Sequence, residues 1–343
     1  MMKPKPLPRF SLVIALLLCT CGLSIFIGLT YGAATVAPWL WWQWNDTSTL
    51  TELIWVWRAP RVLLAFLVGA LLAISGVIFQ GVFRNPLAEP YLLGSASGAG
   101  VGAALALLLP SAVATTFPLF EHIGLPVLAF LGAWGASFLV LALARHGGSW
   151  HTTPLLLAGV ALAAVLSALR GVLILWFGDE TSHLRALISW QLGGLQTPTW
   201  NELAFLSVCL FFIVVATYRV HAGLDALGLG DATAKSLGVN LSRFTALAVL
   251  LAALATALAV CWGGLIGFIG LIIPHILRWW VGHLHRWLIP SAALAGGSLL
   301  VLVDTVARSA LAPSEIPIGL LTALIGGPFF IYLLRKRHYA HST

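Results

Sequence analysis

Charge is what this chain has least of. Only 8% of its 343 residues are Asp, Glu, Lys or Arg, and the acids number eleven, whereas 60% are apolar. A soluble domain of that composition could not cover its apolar surface, so the chain belongs in lipid. The net charge is +7, yet nucleic acid is excluded as a partner. In a membrane chain a positive balance reports loops held on one side of the bilayer. Cys19, Cys21, Cys209 and Cys261 all lie in apolar runs with no CxxC pair, which argues against a disulfide framework or a thiolate metal site. The phosphate-loop pattern GxxxxGK[ST] is also missing. The stretch GLGDATAKS has Ala234 where that pattern needs a Gly, and no strand precedes it, so the chain should bind neither ATP nor a cofactor of its own. No cluster of His, Asp and Glu recurs at one depth, as an enzyme in the membrane would require. The eleven acids fall in loops or at span ends, with Asp304 the one arguable exception, which disfavours a proton- or sodium-coupled carrier.

What the chain does have is ten apolar windows, near 11–31, 60–82, 91–109, 123–144, 154–177, 202–218, 243–262, 264–281, 289–311 and 317–334. The expectation is an all-α integral membrane protein of about ten transmembrane helices in a single domain, 1–343. The first window follows a basic stretch and is too long for a signal-peptide core, so it reads as an uncleaved span. With the amino terminus inside, thirteen basic residues fall in inside loops and tails, among them Arg84, Arg145, Arg219, Lys235, Arg243, Arg278, Arg286 and Arg335. Outside segments take Arg58, Arg61, Arg185 and Arg308, and Arg170 lies within a span. That asymmetry puts both termini on the cytoplasmic side of the membrane.

The segment 222–239, AGLDALGLGDATAKSLGV, interrupts the lipid-soluble pattern near the middle of the chain. Gly223, Gly228, Gly230 and Gly238 divide it into short helical pieces, the second running from an acidic start at Asp231 to a stop at Gly238. Neither piece can span a bilayer, so the segment lies at a surface, on the cytoplasmic side by the charge assignment. It reads as a mechanical coupling element. Elsewhere, Gly94, Gly98 and Gly102 strip one face of the third span for close packing. The run Asn85-Pro86-Leu87-Ala88-Glu89-Pro90 forbids a continuous helix and reads as structural. Six Trp between Trp39 and Trp57 form an interfacial belt. Pro274-His275 predicts a kink beside a packing histidine, and His283 with His285 lacks the neighbouring acid or Cys of a metal site.

Four stretches together carry a resemblance: RAPRVLLAFLVGALLAISGVIFQGVFRNPLAEPYLLG (58–94), LLLAGVAL (155–162), LGLGDATAKSLGV (227–239) and GLIGFIGLIIPHILRWWVG (264–282), with 304–334 in agreement. In this combination and order the chain resembles the FecCD family of ABC importer permeases, which handle vitamin B12, ferric siderophores and haem. The resemblance implies type II importer architecture, a homodimer or pseudo-dimer with a second copy or paralogue. It also implies two cytoplasmic ATPase subunits that bind the ATP and a periplasmic substrate-binding protein. On this chain the ATPase-coupling residues would be Leu227, Gly228, Gly230, Asp231, Ala234, Lys235, Leu237 and Gly238. Arg58 and Arg308, with Arg61 as a third candidate, would receive acids of the binding protein, although Asp304 is placed to pair with Arg308. Thr152 and Thr153 would form a cytoplasmic gate, or else cap the fifth span ahead of Pro154. The expected function is import of a ferric siderophore-type iron complex, with haem or cobalamin as the alternative.

Arg170 departs from that resemblance. It is the only charge in the fifth span, LLLAGVALAAVLSALRGVLILWFG. A lone guanidinium at that depth needs water, a partner or an anion. It is expected either to line the translocation path or to pair with a carbonyl or acid on a neighbouring span.

Overall fold

The computed structural model describes residues 10–36, 52–108, 118–146, 149–150, 152–177, 181–195 and 197–341. Trp39, Trp41, Trp42 and Trp44 of the aromatic belt lie outside the described residues.

Thirteen helices are described. They are α1 (Phe10–Thr30), α2 (Ala59–Phe83), α3 (Ser95–Leu108), α4 (Pro118–Ala144), α5 (Thr152–Phe177), α6 (Thr181–Gln191), α7 (Trp200–Arg219), α8 (His221–Gly228), α9 (Asp231–Ser236), α10 (Leu241–Gly263), α11 (Ile269–Val281), α12 (His285–Ser309) and α13 (Ile318–His341). A π-helical turn, Leu53–Arg58, leads into α2, and a two-rung antiparallel ladder pairs Arg145–His146 with Ser149–Trp150. Seven of these helices are long and apolar enough to cross a membrane, and α3, α11 and the apolar part of α13 are shorter. Together they answer to the ten windows.

The bundle is built around α2. In its span 89% of the membrane window is buried, against 17% for α1 and 6% for α5. Small residues let its neighbours approach to backbone contact. A methyl on Gly76 would collide with the Gly270 carbonyl of α11, and one on Gly69 with the Gly296 carbonyl of α12. Between α3 and α4 the expected glycine stripe works the same way: Gly98 abuts the Gly132 carbonyl and Gly102 the Leu128 carbonyl. Van der Waals packing of this kind replaces the hydrophobic drive that lipid removes.

Two boundaries differ from the sequence reading, and they are linked. The eighth window was expected to be helical from 264. Instead α10 ends at Gly263, and 264–268 runs irregularly through Gly264 (φ 65°) and Phe268 (φ 68°) before α11 begins at Ile269. The third window was expected from 91, but a 3-10 turn, Pro90–Leu93, precedes α3. Irregular backbone inside a bundle must have its polar groups satisfied by protein. The segment 80–91 does this. Glu89 Oε1 accepts the Phe268 N–H at 2.9 Å. The Tyr91 hydroxyl donates to the Ile266 carbonyl at 3.0 Å and accepts the Ile266 N–H at 3.1 Å. Gln80 Nε2 donates to the carbonyls of Gly270 and Leu271 at 3.3 and 3.2 Å. Pro274, four residues after Gly270, has no N–H to offer that carbonyl. Glu89 sits in the loop ahead of the 3-10 turn, as expected of every acid but Asp304, and its carboxyl oxygen is occupied in holding backbone.

The helix α6 was not expected. Leu187 and Trp190 are buried against α3 and its neighbours. Its sequence, TSHLRALISWQ, is too short and too polar to register among apolar runs long enough to span a bilayer.

Candidate coupling face and the ionic cluster opposite

Helices α8 and α9 form the interrupting segment, folded around a small core of Ala226, Leu227 and Ala234 under Val239, Leu241 and Phe244. Gly230 caps α9 at φ 103° and Gly238 follows it at φ 85°. A Cβ at either would meet nothing within 4 Å, so it is the backbone conformation that requires Gly there. Of the residues expected to couple, Leu227 and Ala234 face inward and hold the segment together. Gly228, Asp231, Lys235, Leu237 and Gly238 are exposed. Leu229, 66% exposed, joins Leu237 at 62% as an outward apolar side chain that sequence reading did not single out.

An ion pair and a pair of hydrogen bonds tie this segment to the bundle. Arg84, which ends α2 in the left-handed region, pairs with Asp231. The Asp225 carboxylate takes both the backbone N–H of His285, at 3.0 Å, and its ring Nδ1, at 2.6 Å. Burial alone would raise the Asp225 pKa, but the hydrogen bonds from His285 outweigh it and hold the group below the ordinary carboxylate value. His285 opens α12 and is itself buried. Its partner lies 60 residues away in sequence, so no local pattern signals the pair.

Thr152 and Thr153 form the first turn of α5 rather than a cap ahead of it. They line a cavity of about 670 Å³ together with Arg84, Leu227, Asp231, Lys235 and Thr245. Gate candidates and interrupting segment therefore share one face of the molecule. A second cavity, of about 750 Å³, is also lined by Arg84, with Asp225, Leu229, Arg278 and His285.

The opposite end carries an ionic cluster. Asp304 is fully buried, accepting from Arg308 Nε at 2.8 Å and from Arg61 Nε at 3.0 Å. Arg61 also grips Glu315 with both terminal nitrogens, at 3.0 and 2.8 Å. Arg58 donates to the carbonyls of Leu29 and Thr30 at 3.1 Å and to that of Ala34, and Arg308 reaches the Gly28 carbonyl at 3.2 Å. Both arginines are buried and serve the last turn of α1, where cations suit the helix terminus. The Asp304–Arg308 pair anticipated from spacing is present, and Arg61 is its unanticipated third member.

Arg170 lies against Gly100 of α3, where a Cβ would come within 2.9 Å of its guanidinium. One turn away, the hydroxyls of Ser97 and Ser167 bond at 3.2 Å. Among the described residues no carboxylate pairs with Arg170. The His275 ring packs edge-on against Trp279 and Phe329.

A bundle of apolar spans with a pinned, surface-lying helical pair at one end and buried arginines at the other is the architecture of a multi-pass membrane protein. Comparison with known proteins gives it a family. The chain belongs to the FecCD transport family, whose model matches residues 17–336, and it is an ABC importer permease of that family. The hemin transport system permease protein HmuU of Yersinia pestis is 41% identical over 302 residues, covering 87% of this chain and 88% of that protein. A cobalamin import system permease protein BtuC from Halobacterium salinarum is 41% identical over 312 residues, covering 90% and 80%. Pectobacterium atrosepticum has a vitamin B12 import system permease protein BtuC that is 39% identical over 323 residues, covering 94% and 93%. A solved metal-chelate type ABC transporter in an inward-facing conformation superposes with a TM-score of 0.80 at 33% identity, covering 96% of this chain and all of that one.

Proposed function

We propose that the chain is one half of a paired importer permease. A second copy or a paralogue would lie across a central path, two ATPase subunits would engage the α8–α9 segment, and a periplasmic binding protein would deliver cargo at the arginine end. The observation that carries this reading is the α8–α9 segment itself, tied to α2 by an ion pair and to α12 by hydrogen bonds while Leu229, Lys235 and Leu237 face outward. The bias of basic residues supports placing that segment and both termini in the cytoplasm. The exposed length of α5 supports pairing, because a helix bearing Thr152, Thr153 and Arg170 suits a second copy and a water-filled path better than lipid. At the other end Arg61 is the reachable docking cation, and carboxylates of the binding protein would compete with Glu315 for it.

The cargo we propose is a large ferric chelate of the siderophore type, drawn past the Arg170 of each copy. The names of the relatives favour a second reading, haem or cobalamin. Reconstituted complexes with the cognate ATPase and binding protein separate these by ATP-dependent uptake of a ferric catecholate, hemin and cyanocobalamin. Arg170→Met should assemble normally and lower uptake of an anionic cargo about tenfold, the worth of a lost charge-assisted contact. Wild-type uptake by that variant removes Arg170 from the path, and poor assembly makes it structural. Absence of ATP-dependent uptake of all three cargoes overturns the chelate reading.

A further inference from the structure

The two tied ends are joined by the same two helices. Helix α2 begins beside Arg61 and ends at Arg84; antiparallel to it, α12 begins at His285 and ends beside Asp304 and Arg308. Their register holds along the full length. Arg61 meets Asp304, Gly69 meets Gly296, and Gly81 meets His285. From Arg61 to Gly69, eight residues forward on α2 correspond to eight back on α12, and the twelve from Gly69 to Gly81 correspond to eleven.

The seam leaves no room to slide. A Cβ on Gly69 would come within 2.8 Å of the Leu300 Cβ, Gly297 holds the Phe66 ring, and a Cβ on Gly81 would come within 2.8 Å of His285 Nε2. Interfaces of backbone on backbone have discrete arrangements and do not shear continuously. At 1.5 Å per residue, α12 alone is about 37 Å long, enough to cross the bilayer.

We infer that α2 and α12 form a rigid transmembrane strut linking the arginine cluster to the coupling segment, with Asp225–His285 as the latch that fixes α8 to it. Binding-protein contact at Arg61 and Glu315 then moves the α8–α9 segment without any relay through the remaining spans. His285 is a positioning residue: it acts on the ATPase only through α8. The inference rests on the importer reading above.

The test uses the complete complex of permease, ATPase and binding protein in nanodiscs, with ATP hydrolysis measured with and without saturating binding protein. In His285→Leu the stimulated-to-unstimulated ratio should fall about fivefold or more, the range of a coupling free energy. His285→Asn keeps a side-chain donor for Asp225 and should restore the ratio. A full wild-type ratio in His285→Leu overturns the strut while leaving the importer reading intact. A wild-type complex indifferent to every candidate binding protein overturns the importer reading instead. An independent measurement leaves the latch native. Spin labels at Ala222→Cys on α8 and Val306→Cys on α12, in one permease copy per complex, should keep one separation with and without nucleotide. A change of separation between those states overturns the strut whatever the His285 variants do.

Discussion

Replacing Asp304 by Asn tests the ionic cluster most sharply. The substitution keeps the shape and removes the charge on which two arginines converge, at a site with no solvent to compensate. Removing one partner of a buried pair costs about 3–5 kcal/mol, because the orphaned charge stays buried. Here the loss is cushioned. Arg61 keeps both its bonds to Glu315, which is half exposed, and Arg308 keeps the Gly28 carbonyl. The lower end of the range, about 3 kcal/mol, is therefore expected, and at about 2 °C per kcal/mol for a chain of this size it amounts to a fall of about 6 °C in melting temperature. Intrinsic tryptophan fluorescence of the detergent-solubilised permease during heating reads it directly. Removing Arg308 as well, in Asp304→Leu with Arg308→Met, should recover part of the loss, since an apolar replacement of the buried pair no longer strands the Arg308 charge. An Asp304→Asn protein melting within about 1 °C of wild type would refute the argument, because no buried charge could then have been stranded.

Three further outcomes follow from the packing. Tyr91→Phe leaves the Ile266 N–H and carbonyl unpaired in the bundle and should cost about 1–3 kcal/mol, visible as a lower melting temperature than wild type. Gly76→Ala should prevent folding or assembly, because the added methyl meets the Gly270 carbonyl, whereas Gly135→Ala, with nothing within 4 Å, should be neutral in the same expression and size-exclusion assay. The depressed Asp225 pKa stabilises the latch fully above the ordinary carboxylate value of about 3.9 and is lost as pH falls through the lower folded value. Asp225→Asn should therefore flatten the acid limb of a melting-temperature profile below about pH 4 and change its shape little near neutrality.

The spans, the glycine stripe of α3 and the α8–α9 segment were legible in the sequence because each is local. Apolar runs, spacing by fours and a Gly-bounded polar interruption are properties of neighbouring residues. Asp304–Arg308 was legible for the same reason, one helical turn apart. The rest depended on distance in sequence. Nothing near Asp225 points to His285, and nothing near Arg61 points to Asp304, 243 residues on. The irregular stretch 264–268 read as helix because its residues are apolar. What breaks it is Gly264 in a left-handed turn, made tenable by Glu89 and Tyr91 from another part of the chain. Leu227 and Leu237 look alike on paper, and only the folded loop sends one inward and the other out.

The break before α11 has a consequence for how the protein is made. At 13 residues, α11 covers about 20 Å, well short of the hydrocarbon thickness. Neither it nor the bare backbone of 264–268 is a good passenger for a lipid phase by itself. The groups that complete it, Gln80, Glu89 and Tyr91, leave the ribosome about 180 residues earlier. Membrane insertion of this part of the chain is then expected to be templated, because the late segment's backbone groups find their partners on the early one. Chains that lose 80–91 should strand 264–281 at the membrane surface, for quality-control proteases to find, even though every residue of the late segment is intact.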